Sequence, residues 1–261
     1  MRLILTGATG NAGADVLREA LRDSRITAVT VLSRRPLPPR INPDPPNPKL
    51  RVILHEDFTT YPPSLLNQLE GHSACIWALG VSSNGQTEEN YKRITVEYPI
   101  AAAKAFAGLK KEGEGEGEGE GKFVFAYLSG MGADQREGKA RAMFGRIKGD
   151  AERQLAQLPS SGYPSLATYS FHPAGILSSS PDPEASLAYN RPFLQSVFRT
   201  LGRVFPSIAT DAPVLARAMI EAALRGGNGS IEGWEGKGKV GNEGVFENAD
   251  IKRLAEETPI E

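Results

Sequence analysis

Three glycines, Gly7, Gly10 and Gly13, constrain this chain more than any other feature because of what flanks them. They follow an apolar run, Arg2 to Thr6, and precede a helical pattern from Ala14 to Leu21. The run contains no turn residue and has the profile of a strand buried in a parallel sheet. Leaving such a strand for a helix within a few residues demands a tight turn, and each glycine serves it differently. Gly7 lets the chain turn, Gly10 lets backbone approach a pyrophosphate, and Gly13 lets the helix lie close to the sheet. The helix start adds unpaired N–H groups and the positive end of its dipole. Gly7, Thr9, Gly10, Asn11, Ala12 and Gly13 are therefore the candidate phosphate cradle.

The remaining apolar segments alternate between strand and helix patterns. Thr27 to Ser33, Leu50 to Leu54, Ala74 to Gly80, Phe123 to Leu128 and Leu166 to Phe171 read as further strands. Between them, Pro63 to Leu69, Thr87 to Leu109 and Lys139 to Leu158 read as helices, and Asp211 to Leu224 follows the sixth strand. Pro99 falls inside the second of these and predicts a kink. A seventh strand is expected near Gly238 to Val240 or Gly244 to Glu247, with Asn248-Ala249-Asp250 capping a short terminal helix. The seven prolines between residues 36 and 49 predict an extended surface loop. The five Glu-Gly pairs from Glu112 to Gly121 predict a mobile one. Alternating strands and helices predict an α/β fold, a doubly wound parallel sheet of the Rossmann type. All of 1–261 forms one domain in this reading, with 176–207 and 226–247 as a small substrate-side lobe. Any ligand then belongs at the carboxyl ends of the strands.

Ser33-Arg34-Arg35 closes the second strand, which in dinucleotide-binding folds faces the adenosine ribose. An acid there would bind a free 2′-hydroxyl, but this chain offers a hydroxyl and two guanidiniums. Their charge and planar donor geometry suit a 2′-phosphate. The cofactor expected from these residues is NADP(H).

Thr6-Gly-Ala-Thr-Gly-Asn-Ala-Gly13 resembles the opening of the extended and atypical short-chain dehydrogenase/reductases, which include the NAD-dependent epimerase/dehydratase-like proteins. That resemblance implies further contacts. Asp57 and Phe58 would lie beside the adenine, and backbone from Ala78 through Leu79 to Gly80 would pass under the cofactor ribose. The family uses a tyrosine four residues before a lysine, with the lysine holding the nicotinamide ribose and a serine polarising the substrate oxygen. Here the matching stretch is Phe144-Gly-Arg-Ile-Lys148. Lys148 keeps its place, but phenylalanine stands where the tyrosine would be and cannot carry a proton. The catalytic serine position aligns with Gly130, with Ser129 one residue before it, and Thr95 stands near the family's helix asparagine. Lys148, Ser129 and His172 are the catalytic candidates, His172 because its imidazole titrates near neutrality just after the sixth strand. Tyr91, Tyr169 and Tyr189 are further proton-donor candidates.

Composition narrows the partners. Thirty basic and 31 acidic residues leave a net charge of −1, which predicts neither a nucleic-acid nor an anionic-membrane footprint. Three histidines without ligand spacing predict no structural metal. A single cysteine, the lack of a long apolar run and an N-terminus that enters a strand at once fit a cytoplasmic protein. The expected partner is a small-molecule substrate, with a homodimer open. Three functions fit: an NADP(H)-dependent reductase of a small carbonyl or enone, a non-redox isomerase, cyclase or lyase, and a non-catalytic NADP(H)-sensing regulator.

Overall fold

The protein was analysed as a computed structural model that describes residues 1–109, 121–136, 140–177, 208–228, 231 and 244–257. Its centre is a seven-stranded sheet: β1 (Arg2–Thr6), β2 (Ala28–Ser33), β3 (Leu50–Leu54), β4 (Ala74–Trp77), β5 (Phe123–Leu128), β6 (Leu166–His172) and, last in the chain, β9 (Val245–Glu247). The order is β3-β2-β1-β4-β5-β6-β9, with every pair parallel. The order reverses between β1 and β4, which opens a crevice at their carboxyl ends.

Side-chain alternation along each strand builds two cores. Leu3, Leu5, Val29, Val31, Ile76 and Val124 face α1 (Asn11–Arg22), α6 (Ala212–Arg225) and α7 (Asn248–Glu256). Ile4, Leu32, Cys75, Trp77, Phe123 and Phe125 face α2 (Pro63–Leu69), α3 (Glu88–Lys92), α4 (Tyr98–Phe106) and α5 (Met143–Gln157). Burial on both sides explains why these strands read as continuous apolar runs. A separate two-stranded ribbon pairs β7 (Gly175–Leu177) with β8 (Ala209–Asp211).

Several elements differ in extent from the sequence expectation. Helix α1 begins at Asn11, so Gly13 lies inside it. Strand β4 stops at Trp77, and Ala78–Gly80 already belongs to the following loop. The irregularity expected at Pro99 takes the form of a π-helical turn, Arg93–Glu97, joining α3 to α4. Proline has no N–H to give the preceding turn, and a widened turn accommodates that loss. Helix α7 has its N-cap at Glu247, one residue before the 248–250 tripeptide, whose Asp250 completes a reciprocal capping box. The seventh strand is the Val245–Glu247 segment. The Glu-Gly run before Gly121 lies outside the described residues, as do 178–207, 229–230 and 232–243 of the expected lobe. Among the described residues, no helix is long and apolar enough to cross a membrane.

Candidate active site

The glycine turn is held by backbone packing. Gly7 has φ +73°, and a Cβ there would lie 2.4 Å from the Ala78 carbonyl. A Cβ on Gly13 would lie 2.1 Å from the Gly7 oxygen. Gly10 is different: its added Cβ would meet only the Gly7 oxygen, at 3.3 Å. Gly10 caps α1 with no side-chain hydrogen bond, so the N–H groups of the first turn remain for a ligand's oxygens. Asn11 donates through Nδ2 to the Ile176 carbonyl at 3.4 Å, tying β7 to this turn, while its buried Oδ1 has no partner. An uncapped helix start, an open glycine face and an orphaned acceptor fit a dinucleotide, whose pyrophosphate needs donors and whose hydroxyls need acceptors. Ala78 N donates to the Thr6 carbonyl at 3.3 Å, which brings the Ala78–Gly80 backbone beside the turn.

At the end of β2, Arg34 and Arg35 are exposed, and neither makes an ion pair among the described residues. Ser33 Oγ accepts from Arg35 N at 3.4 Å. The Asp57 carboxylate accepts from Thr59 N at 2.9 Å and from the Thr59 and Thr60 hydroxyls, bonds that hold it below the usual carboxylate range. Phe58 is fully buried against Trp77 and Tyr98, so its ring supports this turn from inside the core.

The second half of the site lies at the carboxyl ends of β5 and β6 against α5. Phe144, Lys148 and Glu152 fall at i, i+4 and i+8 and share a helix face. Phe144 packs where a serine at position 130 would need space: a Cβ on Gly130 would lie 3.0 Å from its ring. Gly130 and Phe144 thus form a complementary apolar pair at the positions where the resemblance implies a serine and a tyrosine. Lys148 Nζ donates to the Leu128 carbonyl at 2.7 Å and sits 4.7 Å from the Tyr127 ring centroid. Burial lowers its pKa to about 8, and the Glu152 carboxylate offsets this only in part.

Glu152 is the hub of a buried polar cluster. Its Oε1 accepts a short hydrogen bond from Ser129 Oγ and a second from His172 Nε2 at 2.8 Å. Gln135 Nε2 donates to Oε2 at 3.1 Å. On its other side His172 Nδ1 lies 3.3 Å from Glu247 Oε1. Burial opposes the charged imidazole, but the two carboxylates outweigh it and raise the His172 pKa to about 9. The two carboxylates thus favour the charged form of the ring. Of the three catalytic candidates, the structure brings Ser129 and His172 onto one carboxylate and places Lys148 one helical turn away.

Tyr91 is fully buried, Tyr169 donates to the Gly226 carbonyl at 3.1 Å, and Tyr189 is outside the described residues. Thr95 is buried, and its carbonyl accepts from Tyr127 OH at 3.0 Å within the π turn. Among the described residues, no three His, Cys, Asp or Glu side chains gather where they could hold a metal ion. Sequence reasoning missed Glu152, Gln135 and Glu247. The available signal was Glu152 itself, an acid one turn beyond Lys148 on a face otherwise read as apolar.

The architecture is an α/β Rossmann fold, shared with solved short-chain dehydrogenase/reductase and epimerase structures. A short-chain dehydrogenase/reductase from Saccharomyces cerevisiae superposes with a TM-score of 0.65, covering 99% of both chains at 15% identity. The UDP-glucuronic acid 4-epimerase of Bacillus cereus, solved with NAD, gives 0.61 at 12% identity over 87% of this chain and 75% of that one. By sequence, the chain is 35% identical over 158 residues to leucinostatins biosynthesis cluster protein T of Purpureocillium lilacinum. That match covers 60% of this chain and 52% of the relative, so the chain aligns with about half of that protein's length. No protein-family model matches the chain.

Proposed function

We propose that this protein is an NADP(H)-dependent oxidoreductase acting on a small organic carbonyl or enone, without the usual tyrosine acid. The observation that carries the reading is a charged, proton-bearing cluster buried beside a dinucleotide crevice. Burying Lys148, Glu152 and His172 costs several kcal/mol of desolvation per ion, on the order given by continuum arguments, and a fold needs no such cluster for stability. A protein that only sensed cofactor would have little use for it. The cluster suits a site where charge and protons must be handled.

When bound, the reduced nicotinamide supplies the hydride that a carbonyl carbon accepts; with one proton on oxygen the products are an alcohol and the oxidised cofactor. The first turn of α1 holds the pyrophosphate, and Arg34 and Arg35 hold the 2′-phosphate. Lys148 spends one of its three N–H donors on the Leu128 carbonyl and has two for the ribose hydroxyls. Ser129 reaches the substrate oxygen. Support for a small organic substrate also comes from the sequence relative, whose name places it in a biosynthesis cluster.

Calorimetric titration with NADPH and NADH, repeated on Arg34→Ala/Arg35→Ala, tests the cofactor. Tight NADPH binding that the double variant loses is the expected result, and equal affinity for both cofactors defeats the NADP(H) assignment. One observation favours a second reading: Ser129 donates into a carboxylate and so is poised to take a proton from a substrate. That suits a non-redox isomerase or lyase, and turnover without any change in nicotinamide absorbance selects it.

A further inference from the structure

Carbonyl reduction places a proton on the substrate oxygen, and Phe144 has none to give. Three observations bear on its source. Ser129 and His172 both hydrogen-bond the same oxygen, Glu152 Oε1, while Gln135 occupies Oε2. A proton moving from the ring to the hydroxyl therefore needs no rotation of the carboxylate. The β6–β9 register pairs His172 with Glu247, so backbone fixes the contact between the ring and the second carboxylate. The Glu247 carboxylate is itself held by the α7 capping box, in which Glu247 N donates to Asp250 Oδ2 at 3.0 Å.

We propose that the His172–Glu152 pair stores the proton that Ser129 hands to the substrate, in place of the family's tyrosine, and that Glu247 is the positioning residue that keeps the ring charged. The inference rests on the carbonyl-reductase reading above. In the step, the Ser129 Oγ–H bond breaks as an O–H bond forms on the substrate oxygen. Oγ regains a proton through Glu152 Oε1, which takes it from His172 Nε2. The ring is left neutral, keeping its Nδ1 proton, which it still donates to Glu247. One proton has left the ring and one has reached the substrate. After product leaves, a proton taken up from solvent returns along the same bonds.

The groups facing the ring and its carboxylate are Glu152 and Lys148 from α5, Ser129 just after β5, Gln135 from the same loop, Glu247 at the end of β9 and Asp250 in the first turn of α7. Glu247 is the one to alter first, because its side chain is 60% exposed and a change there spares the core. Glutamine removes the charge and keeps one acceptor oxygen, with an amide donor in place of the other.

The experiment follows oxidation of NADPH with phenanthrenequinone and 2-cyclohexenone as probes, across pH, in the wild type, Glu247→Gln and His172→Gln. In parallel, nitrogen NMR titrates His172 in the cofactor-free wild type and Glu247→Gln. The expected wild-type kcat falls with an alkaline limb near pH 9, where His172 loses its proton. Glu247→Gln moves both the limb and the NMR titration down together, by ~1 pH unit. His172→Gln lowers kcat ~100-fold or more, in the range expected for loss of a general acid, with little change in KM. A limb that stays fixed while the NMR titration moves overturns the stored-proton role, as does full kcat in folded His172→Gln. If the wild type reduces neither probe, the reductase reading fails and this inference falls with it.

Discussion

The two halves of the site are built from opposite materials. At β1 and α1 the candidate cofactor edge consists of backbone and of side chains that are absent: three glycines and an uncapped helix start. At β5, β6 and α5 the edge proposed to handle protons consists of side chains that are costly to bury: Lys148, Glu152 and His172. The first kind of site is written into consecutive residues, because a backbone conformation is set locally. The second is assembled from Ser129, Gln135, Glu152, His172 and Glu247, which only the sheet order brings together. The two halves should therefore fail differently when altered.

The largest effect is expected at the glycines, and it separates Gly13 from Gly10. Gly13→Val forces a Cβ to within 2.1 Å of the Gly7 oxygen, a contact no side-chain movement relieves. A loss of ~3 kcal/mol or more, at the upper end for overpacking, should appear in chemical denaturation. Gly10→Ala meets one atom at 3.3 Å, and should leave stability within ~0.5 kcal/mol while weakening NADPH binding. Equal destabilisation by both would mean that the turn is a packing device throughout.

The matching test at the other edge is Glu152→Ala. Truncation leaves an imidazolium paired only with Glu247 and strands the Ser129 hydroxyl and the Gln135 amide. Removing one partner of a buried ion pair costs ~3–5 kcal/mol, here in an interior emptied of its acceptor. Glu152→Gln keeps one acceptor oxygen and should cost less. If alanine is as stable as glutamine, water has replaced the carboxylate and the hub is not dry.

What could be read in advance follows the same division. Strands β1, β3 and β5 and helix α2 have the limits their apolar patterns predict, because short apolar runs and a proline-started helix carry local signals. Local signals misplace boundaries that tertiary contact decides. Strand β4 ends at Trp77 because the chain must pass under Gly7, and α1 starts at Asn11 because Gly10 serves as its cap. Glu247 caps α7 although asparagine and aspartate just beyond it look better suited, since pairing with β6 fixes where the strand stops. Glu152 gave no sign of its partners. An acid in a helix reads as a solvated residue until the fold sets a histidine and a serine against it.

Protonation separates two cations within the second edge. His172 has its pKa raised from 6.5 to about 9, so the folded chain holds its proton more tightly than the unfolded one. Its stabilisation is complete below pH 6.5 and is lost as pH rises to about 9. Lys148 has its pKa lowered from 10.5 to about 8, so its cost is complete below pH 8 and is relieved towards pH 10.5. Each shift corresponds to ~3 kcal/mol at most, at about 1.4 kcal/mol per pH unit. Wild-type stability should fall between pH 6.5 and 8 and level out between 8 and 9, where the two trends oppose. In urea denaturation across this range, His172→Gln should abolish the fall and Lys148→Met should extend it to pH 9. A fall that persists in His172→Gln would assign it to another group.

The smallest effect probes the seam between the edges. Tyr127 does two things at once: its ring lies under Lys148 Nζ, and its hydroxyl donates to the Thr95 carbonyl in the π turn. Phenylalanine removes the hydroxyl and keeps the ring. A buried hydrogen bond of this kind is worth ~1 kcal/mol, with a further cost if the carbonyl finds no other donor. Tyr127→Phe should therefore lower stability by about that amount and speed hydrogen exchange in the Arg93–Glu97 turn, without moving the Lys148 titration. Tyr127→Leu removes the ring as well and should make Lys148 easier to deprotonate, since the π face that favours its charge is gone. A lysine titration that shifts in both variants would show that the π turn, rather than the ring, sets the charge at Lys148. The helix irregularity at Pro99 would then be coupled to the proton-handling edge through Thr95, and the boundary drawn between a backbone-built half and a side-chain-built half would have to move across α3 and α4.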